Sequence, residues 1–200
     1  MADETPITTT SNSSNSFSVA DPAPLGLAAF ALTTFLLSIV NANWTSGNAW
    51  LPYALAYGGL GQLLAGMWEF KRGNTFGATA FSTYGAFWIG LWFFATKTAA
   101  APDAKPHDLG FILLAFFIFN SFMLLAAANV NMAVFAVFLT LEITELLLWI
   151  GILSDKANIV KIGGVVGVIT AIVAWYTAAA GVKASVGGRL QLPVGRPMNF

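Results

Sequence analysis

The chain has 200 residues with nine Lys plus Arg, nine Asp plus Glu and one His, so its net charge is zero and only 9% of it is charged. With 57% hydrophobic residues and a mean hydropathy of +0.73, it lacks the polar surface to cover a water-soluble globule, which excludes a cytosolic enzyme and points to a membrane protein. The absence of Cys removes disulfide frameworks and thiolate chemistry, and one His leaves little for zinc, so neither a metal nor any other cofactor is expected. Balanced charge argues against a nucleic-acid partner.

Residues 1–21 open on Ser, Thr and Asn with Asp3 and Glu4, without the basic start and apolar core of a signal peptide. They read as a disordered tail. Beyond them the spans show as gaps between charges, because an ionisable group in hydrocarbon is costly. No Asp, Glu, Lys or Arg occurs from Pro22 to Trp68, from Gly73 to Thr96, from Leu109 to Leu141 or from Ile162 to Val182. Asn41, Asn43, Gly47, Asn48 and Pro52 divide the first gap. Ala128, Asn129 and Asn131 mark a short turn after the fourth span.

The predicted spans are Leu25 to Ala42, Pro52 to Phe70, Thr75 to Thr96, Leu109 to Ala128, Val130 to Leu153 and Val160 to Gly181. Segments of roughly 20 residues suit a bilayer core about 30 Å thick. Their Leu-Leu, Ala-Ala-Ala and Val-Val runs lack the alternation of a barrel strand. The expected fold is an all-α membrane protein, a six-transmembrane-helix bundle over 22–181, followed by an unstructured tail at 182–200. Both tails then share a side with Lys71 and Arg72, giving five basic residues against four opposite, a slight excess that places the termini in the cytoplasm. Trp44, Trp50, Trp68, Trp92 and Trp149 fall near span ends, as headgroup-level rings do. Gly61 with Ala65, Gly73 with Gly77, and Gly163 with Gly167 predict close helix contacts. No internal repeat supports an inverted-repeat transporter.

Candidate functional residues come from polar groups inside these spans. Asp21 with Pro22 and Pro24 reads as the cap of the first helix, whose exposed N–H groups can hold an anion. Phe30 lies below that entrance, followed by Thr33 and Thr34. Gln62 needs a partner, and Glu69 on the same face is expected to pair with Lys71 or Arg72 or reach the interface. Thr75, Thr79, Ser82 and Thr83 form a hydroxyl stripe that either lines a polar pathway or bonds to backbone. Glu142 and Glu145 stand out most, sharing a face near the middle of the fifth span with no Lys or Arg at that depth in any span. Such carboxyls mark a functional site and can exchange a proton, unless they are protonated and hydrogen-bonded at a subunit contact. His107 reads as solvated.

Asp-Pro-Ala-Pro-Leu-Gly-Leu at 21–27, Gly58-Gly59 with Gln62, Gly66-Met67-Trp68-Glu69-Phe70, and Gly73-Asn74-Thr75-Phe76-Gly77 followed by Ser82-Thr83-Tyr84-Gly85-Ala86-Phe87-Trp88 closely resemble the acetate uptake transporter family, the succinate-acetate permeases. The resemblance covers roughly residues 21–180. It implies six helices per protomer, a pathway within each, a homo-hexamer resembling urea channels, and uptake of acetate or succinate coupled to protons or through a channel-like route. Carried over, the family's narrow constriction falls on Phe30, Tyr84 and Leu141. The motif's opening Asn is Asp21 here, a negative charge where an anion would enter. Glu142 and Glu145 lie outside the family signature.

An aromatic wall with hydroxyl or amide donors suits a small carboxylate, and a proton taken up by Glu142 or Glu145 beside Leu141, with Glu69 as a further coupling candidate, would ease its crossing. The alternative is a passive channel for undissociated acid, urea or ammonia. A membrane-embedded enzyme would need more than His107, and a purely structural or sensory protein would not need polar stripes meeting mid-membrane carboxyls.

Overall fold

The computed structural model describes residues 19–101, 104–105 and 107–198. The expected N-terminal tail lies outside the described residues except for its last three positions.

Among the described residues the helical segments join into six rods. The first, α1, runs Ala23–Asn41 and starts one residue later than an Asp21 cap would place it: Pro22 is the N-cap, and Asp21 Oδ1 accepts from the Ala23 N–H at 3.0 Å from one step outside. The rod α2 is composite, an α-turn Trp50–Tyr53, a π-helical stretch Ala54–Gly61 and an α-segment Gln62–Arg72 in unbroken succession. It ends at Gly73, whose φ of +81° is left-handed, so Gly73 terminates the helix instead of making the helix contact expected of it. Asn74 then caps α3, Thr75–Phe93, accepting from the Gly77 N–H at 3.2 Å, and the rod continues as a π-turn over Phe94–Thr98. Helix α4 is Asp108–Ala127, α5 is Met132–Leu153 capped by Asn131 onto the Val134 N–H, and α6 is Ala157–Val186.

Four of these rods, α1, α4, α5 and α6, are long and apolar enough to cross a membrane. Around the bundle, α1 is flanked by α2 and α6, α6 by α5, α5 by α4, and α2 by α3; the ring closes where α3 meets α4, at its thinnest seam. Aromatic rings fill that seam, with Phe87 and Phe116 centroids 4.5 Å apart and Tyr84 within 5.9 Å of Phe116 and 5.6 Å of Phe119.

Small residues set the closest approaches. A Cβ on Gly85 would sit 2.6 Å from the Leu63 nitrogen, and one on Gly164 would sit 2.6 Å from the Asn41 carbonyl carbon, backbone that cannot retreat. Gly163 faces Leu148 and Gly167 faces Ser38, as expected of a packing pair. The outside is apolar, with Phe111, Ile118, Phe122, Leu125, Ile162 and Ile172 all exposed. Gln62, Glu69, Asn120, Glu145 and Thr170 are buried inside, a distribution suited to a lipid environment. The protein is a multi-pass membrane protein.

Two expectations need correction here. Trp50 is not at an interface but buried against Ala54, Trp88 and Leu91, while Trp44 and Trp68 are exposed as expected. The chain beyond Val182 stays helical to Val186, and the extended residues after it are held in place. Ala133 N–H donates to Val194 O at 2.9 Å, Met198 N–H to Ala128 O at 2.8 Å, and Tyr176 Oη to Pro193 O at 2.7 Å.

Candidate functional site

Helices α1, α3 and α5 run in the same direction, and their inward residues meet a row of four voids in the same order. At the Asp21 end, a void of about 300 Å³ is bounded by Asp21, Pro24, Leu27, Arg72, Asn74 and Asn131 among others. Next comes one of about 20 Å³ between Leu27, Phe30, Gln62, Tyr84, Phe138 and Leu141. A third, about 50 Å³, is lined by Phe30, Thr34, Ser38, Asn41, Tyr84, Trp88, Leu141, Thr144 and Glu145. Asn41 and Leu37 lead on into a fourth of about 260 Å³ bounded by Trp50, Leu91 and Phe94.

Phe30, Tyr84 and Leu141 line both inner voids and separate them. All three are buried, and the Phe30 and Tyr84 rings meet edge to face with centroids 5.8 Å apart. The structure therefore brings together the three residues expected at the constriction. Polar atoms without a protein partner stand on both sides of it: Gln62 Oε1 on one, and Thr34 Oγ1, Trp88 Nε1 and Glu145 Oε2 on the other. A buried polar atom left bare costs free energy, so these donors and acceptors suit a small polar solute or water. At about 30 Å³ per water, the third void, about 50 Å³, holds one or two waters.

The carboxyls sit in a network that the sequence did not disclose. Tyr84 Oη donates to Asn120 Oδ1 at 3.0 Å and lies 3.3 Å from Glu145 Oε1. Asn120 Nδ2 donates to Phe138 O at 3.0 Å and to Glu142 Oε2 at 2.6 Å, while Ser121 Oγ lies 2.6 Å from Glu142 Oε1 and 2.9 Å from Phe117 O, its one hydrogen shared between the two acceptors. Glu145 thus faces the pathway, and Glu142 stands behind it between α4 and α5. Both have neutral partners within this chain.

Other candidates stand elsewhere. Thr33 is buried, but its hydroxyl donates to Ala29 O and lies 3.3 Å from Tyr53 O, packed on Gly58, so it serves the α1–α2 contact. Thr75 is exposed, Thr79 and Thr83 are half-buried, and Ser82 packs on Gly66 of α2; none lines a void described here. Of the hydroxyl stripe, only Ser82 is placed against a neighbouring helix. Glu69 is wholly buried against Gly77 beside the Asn74 amide, with no ion pair to Lys71 among the described residues. Asp21, the negative charge at the entrance, forms an ion pair with Arg72 on the rim of the outer void. His107 is half-exposed and lies 3.3 Å from Asp155, joining two loops.

A bundle of membrane helices with a row of internal voids and an aromatic and aliphatic neck defines a polytopic membrane protein built around an internal pathway. The chain belongs to the GPR1/FUN34/yaaH family, which matches residues 5–196. It is 42% identical to "Acetate permease A" of Emericella nidulans, over 88% of this chain and 65% of that protein. It is 35% identical to "Succinate-acetate/proton symporter SatP" of Escherichia coli, over 88% of this chain and 96% of that protein. Among solved structures it resembles "Structure of the bacterial acetate channel SatP", with a TM-score of 0.84 and 35% identity over 89% of this chain and all of that one. The chain spans between 58% and 65% of the length of the first fungal relatives it matches.

Proposed function

We propose that the protein carries acetate and related short carboxylates, succinate among them, across a membrane through the row of voids within each chain, with a proton. The observation that carries this reading is the pair of inner voids divided by Phe30, Tyr84 and Leu141, with bare polar atoms on both sides. The names of the bacterial and fungal relatives support the substrate class. In this reading all six rods cross the bilayer of the plasma membrane, residues 22–181 form the transmembrane domain, the termini lie in the cytoplasm, and chains assemble as a homo-hexamer.

Proton coupling rests on Tyr84, whose hydroxyl has one hydrogen to give. When Glu145 is protonated it donates to the Tyr84 oxygen, leaving the Tyr84 hydrogen for Asn120. When ionised, it competes with Asn120 for that hydrogen. A proton on Glu145 therefore changes what holds the constriction ring. A second reading, passive passage of a neutral solute such as undissociated acid, is favoured by one feature: among the described residues, no Lys or Arg lines either inner void.

The test is uptake of labelled acetate into proteoliposomes against protein-free vesicles, with and without an inward proton gradient, followed by counterflow. Saturable, protein-dependent uptake that the gradient accelerates, with transient counterflow, supports proton-coupled carriage. Equilibration without counterflow supports the passive pore, and the absence of protein-dependent acetate flux refutes both carboxylate readings.

A further inference from the structure

The constriction ring is held from behind by a residue that touches no void. Asn120 is fully buried on α4, and both hydrogens of its amide are engaged, one by Phe138 O and one by Glu142 Oε2. Turning the amide over would set its oxygen against two acceptors, so the donors fix its orientation and only Oδ1 is left to face Tyr84. Ser121, the next residue, holds the other Glu142 oxygen and keeps that acceptor in place. The result is a chain from Ser121 through Glu142 and Asn120 to the Tyr84 hydroxyl, crossing the thin α3–α4 seam where helix packing alone restrains α3 least.

We propose that Asn120 is a positioning residue that sets the substrate size limit of the pathway by pinning the Tyr84 ring across the constriction, with Glu142 and Ser121 as its anchor. The proposal rests on the transport reading and deepens it by assigning selectivity among straight-chain monocarboxylates to a residue outside the voids. Tyr84 faces Phe30 on one side and Phe116 and Phe119 on the other. Freed from Asn120, the ring can tilt away from Phe30 and widen the neck between the 20 and 50 Å³ voids.

The experiment compares initial rates of labelled acetate and butyrate entry into proteoliposomes for wild type, Asn120→Leu, Tyr84→Phe and the double variant. Asn120→Leu is expected to raise the butyrate-to-acetate ratio by about tenfold, the lower end of what one methylene is worth in a fitted pocket. Tyr84→Phe should raise the ratio at least as much, since it also removes the 3.3 Å contact to Glu145, and the double variant no further than Tyr84→Phe alone, since the Asn120 bond is already lost with the hydroxyl. Should Asn120→Leu fail to fold, Glu142→Met at its half-buried position removes the anchor and should move the ratio the same way by less. Rates for both acids that fall in proportion, or single effects that multiply in the double variant, overturn the assignment and leave Asn120 a structural residue. Wild-type vesicles no more permeable to acetate than protein-free ones would instead overturn the transport reading, and this assignment with it.

Discussion

Leu141→Ala isolates the constriction. The side chain is buried and borders both inner voids, about 20 and 50 Å³, so shortening it to a methyl group joins them. In a close-packed core such a change costs 2.7–5.0 kcal/mol, rising with the cavity left behind; here open space already flanks the residue, and the expected loss is about 3 kcal/mol. Widening the neck relieves a steric cost of about 1–3 kcal/mol for each methylene it excluded, which corresponds to roughly 10–200-fold in rate. Butyrate entry should therefore rise by at least about tenfold while acetate entry rises less. The control is Met123→Ala, buried in the same core but lining no void, which should lose comparable stability and leave the ratio of the two acids unchanged. Stability is followed by thermal unfolding in detergent and selectivity by initial rates in proteoliposomes. If Leu141→Ala and Met123→Ala both unfold earlier with identical selectivity, the neck does not limit passage and the pathway argument fails.

Glu145→Gln keeps the shape beside Tyr84 and removes the titrating group; in acetate exchange without a gradient, the rate should then follow the undissociated acid alone, falling about tenfold per pH unit above its pKa. A pH profile identical to wild type removes Glu145 from the proton step. Gly164→Ala places a Cβ against the backbone of Asn41 and Ala42 and should cost about 1–3 kcal/mol, whereas Gly90→Ala, with open space around it, should be neutral or stabilising; thermal unfolding of the two decides. Asp21→Asn releases Arg72 at the rim of the outer void, so the acetate concentration for half-maximal uptake should fall at low salt and return at high salt, with stability changed by less than about 1 kcal/mol. An unchanged half-maximal concentration at low salt would show that the rim charge does not steer the anion.

The helices were legible because charge is excluded from hydrocarbon, and their ends followed from turn chemistry such as Gly73, Asn74 and Asn131. The faces were harder. The stripe Thr75, Thr79, Ser82 and Thr83 has helical spacing, yet periodicity does not say which way a face points when a helix is apolar all round. Tyr84 supplies the direction: positions three or four away from it, Phe81, Phe87 and Trp88, line the voids, and Thr83 lies about 100° off that line. Asn120 was missed for a different reason, since its partner is on another helix. Its signal lay in the turn, because Asn120 and Glu142 each stand eleven residues from Asn131. Two antiparallel helices joined by a tight turn bring such positions level, so an isolated amide in one span and a carboxyl in the next were a predictable pair. Glu69 was misread because Lys71, two residues on, points to another face of the helix, while Arg72, three on and within reach of the same face, is held by Asp21 instead.

The interior now explains how a neutral wall can serve an anionic cargo. Among the described residues, an ionised carboxylate entering the inner voids would meet no Lys or Arg, but apolar walls with hydroxyl, amide and indole groups and the Glu145 carboxyl. Passage is therefore cheapest for the acid carrying its proton, and a group that lends and recovers a proton at the neck lowers the barrier without any buried cation. Glu145 stands where that exchange is needed, 3.3 Å from the hydroxyl of the ring that closes the neck. In the proton-coupled reading, Tyr84 has one hydrogen and two claimants for it, so proton transfer and ring restraint become a single event, and a variant that breaks the Asn120 bond should weaken proton dependence and size selection together.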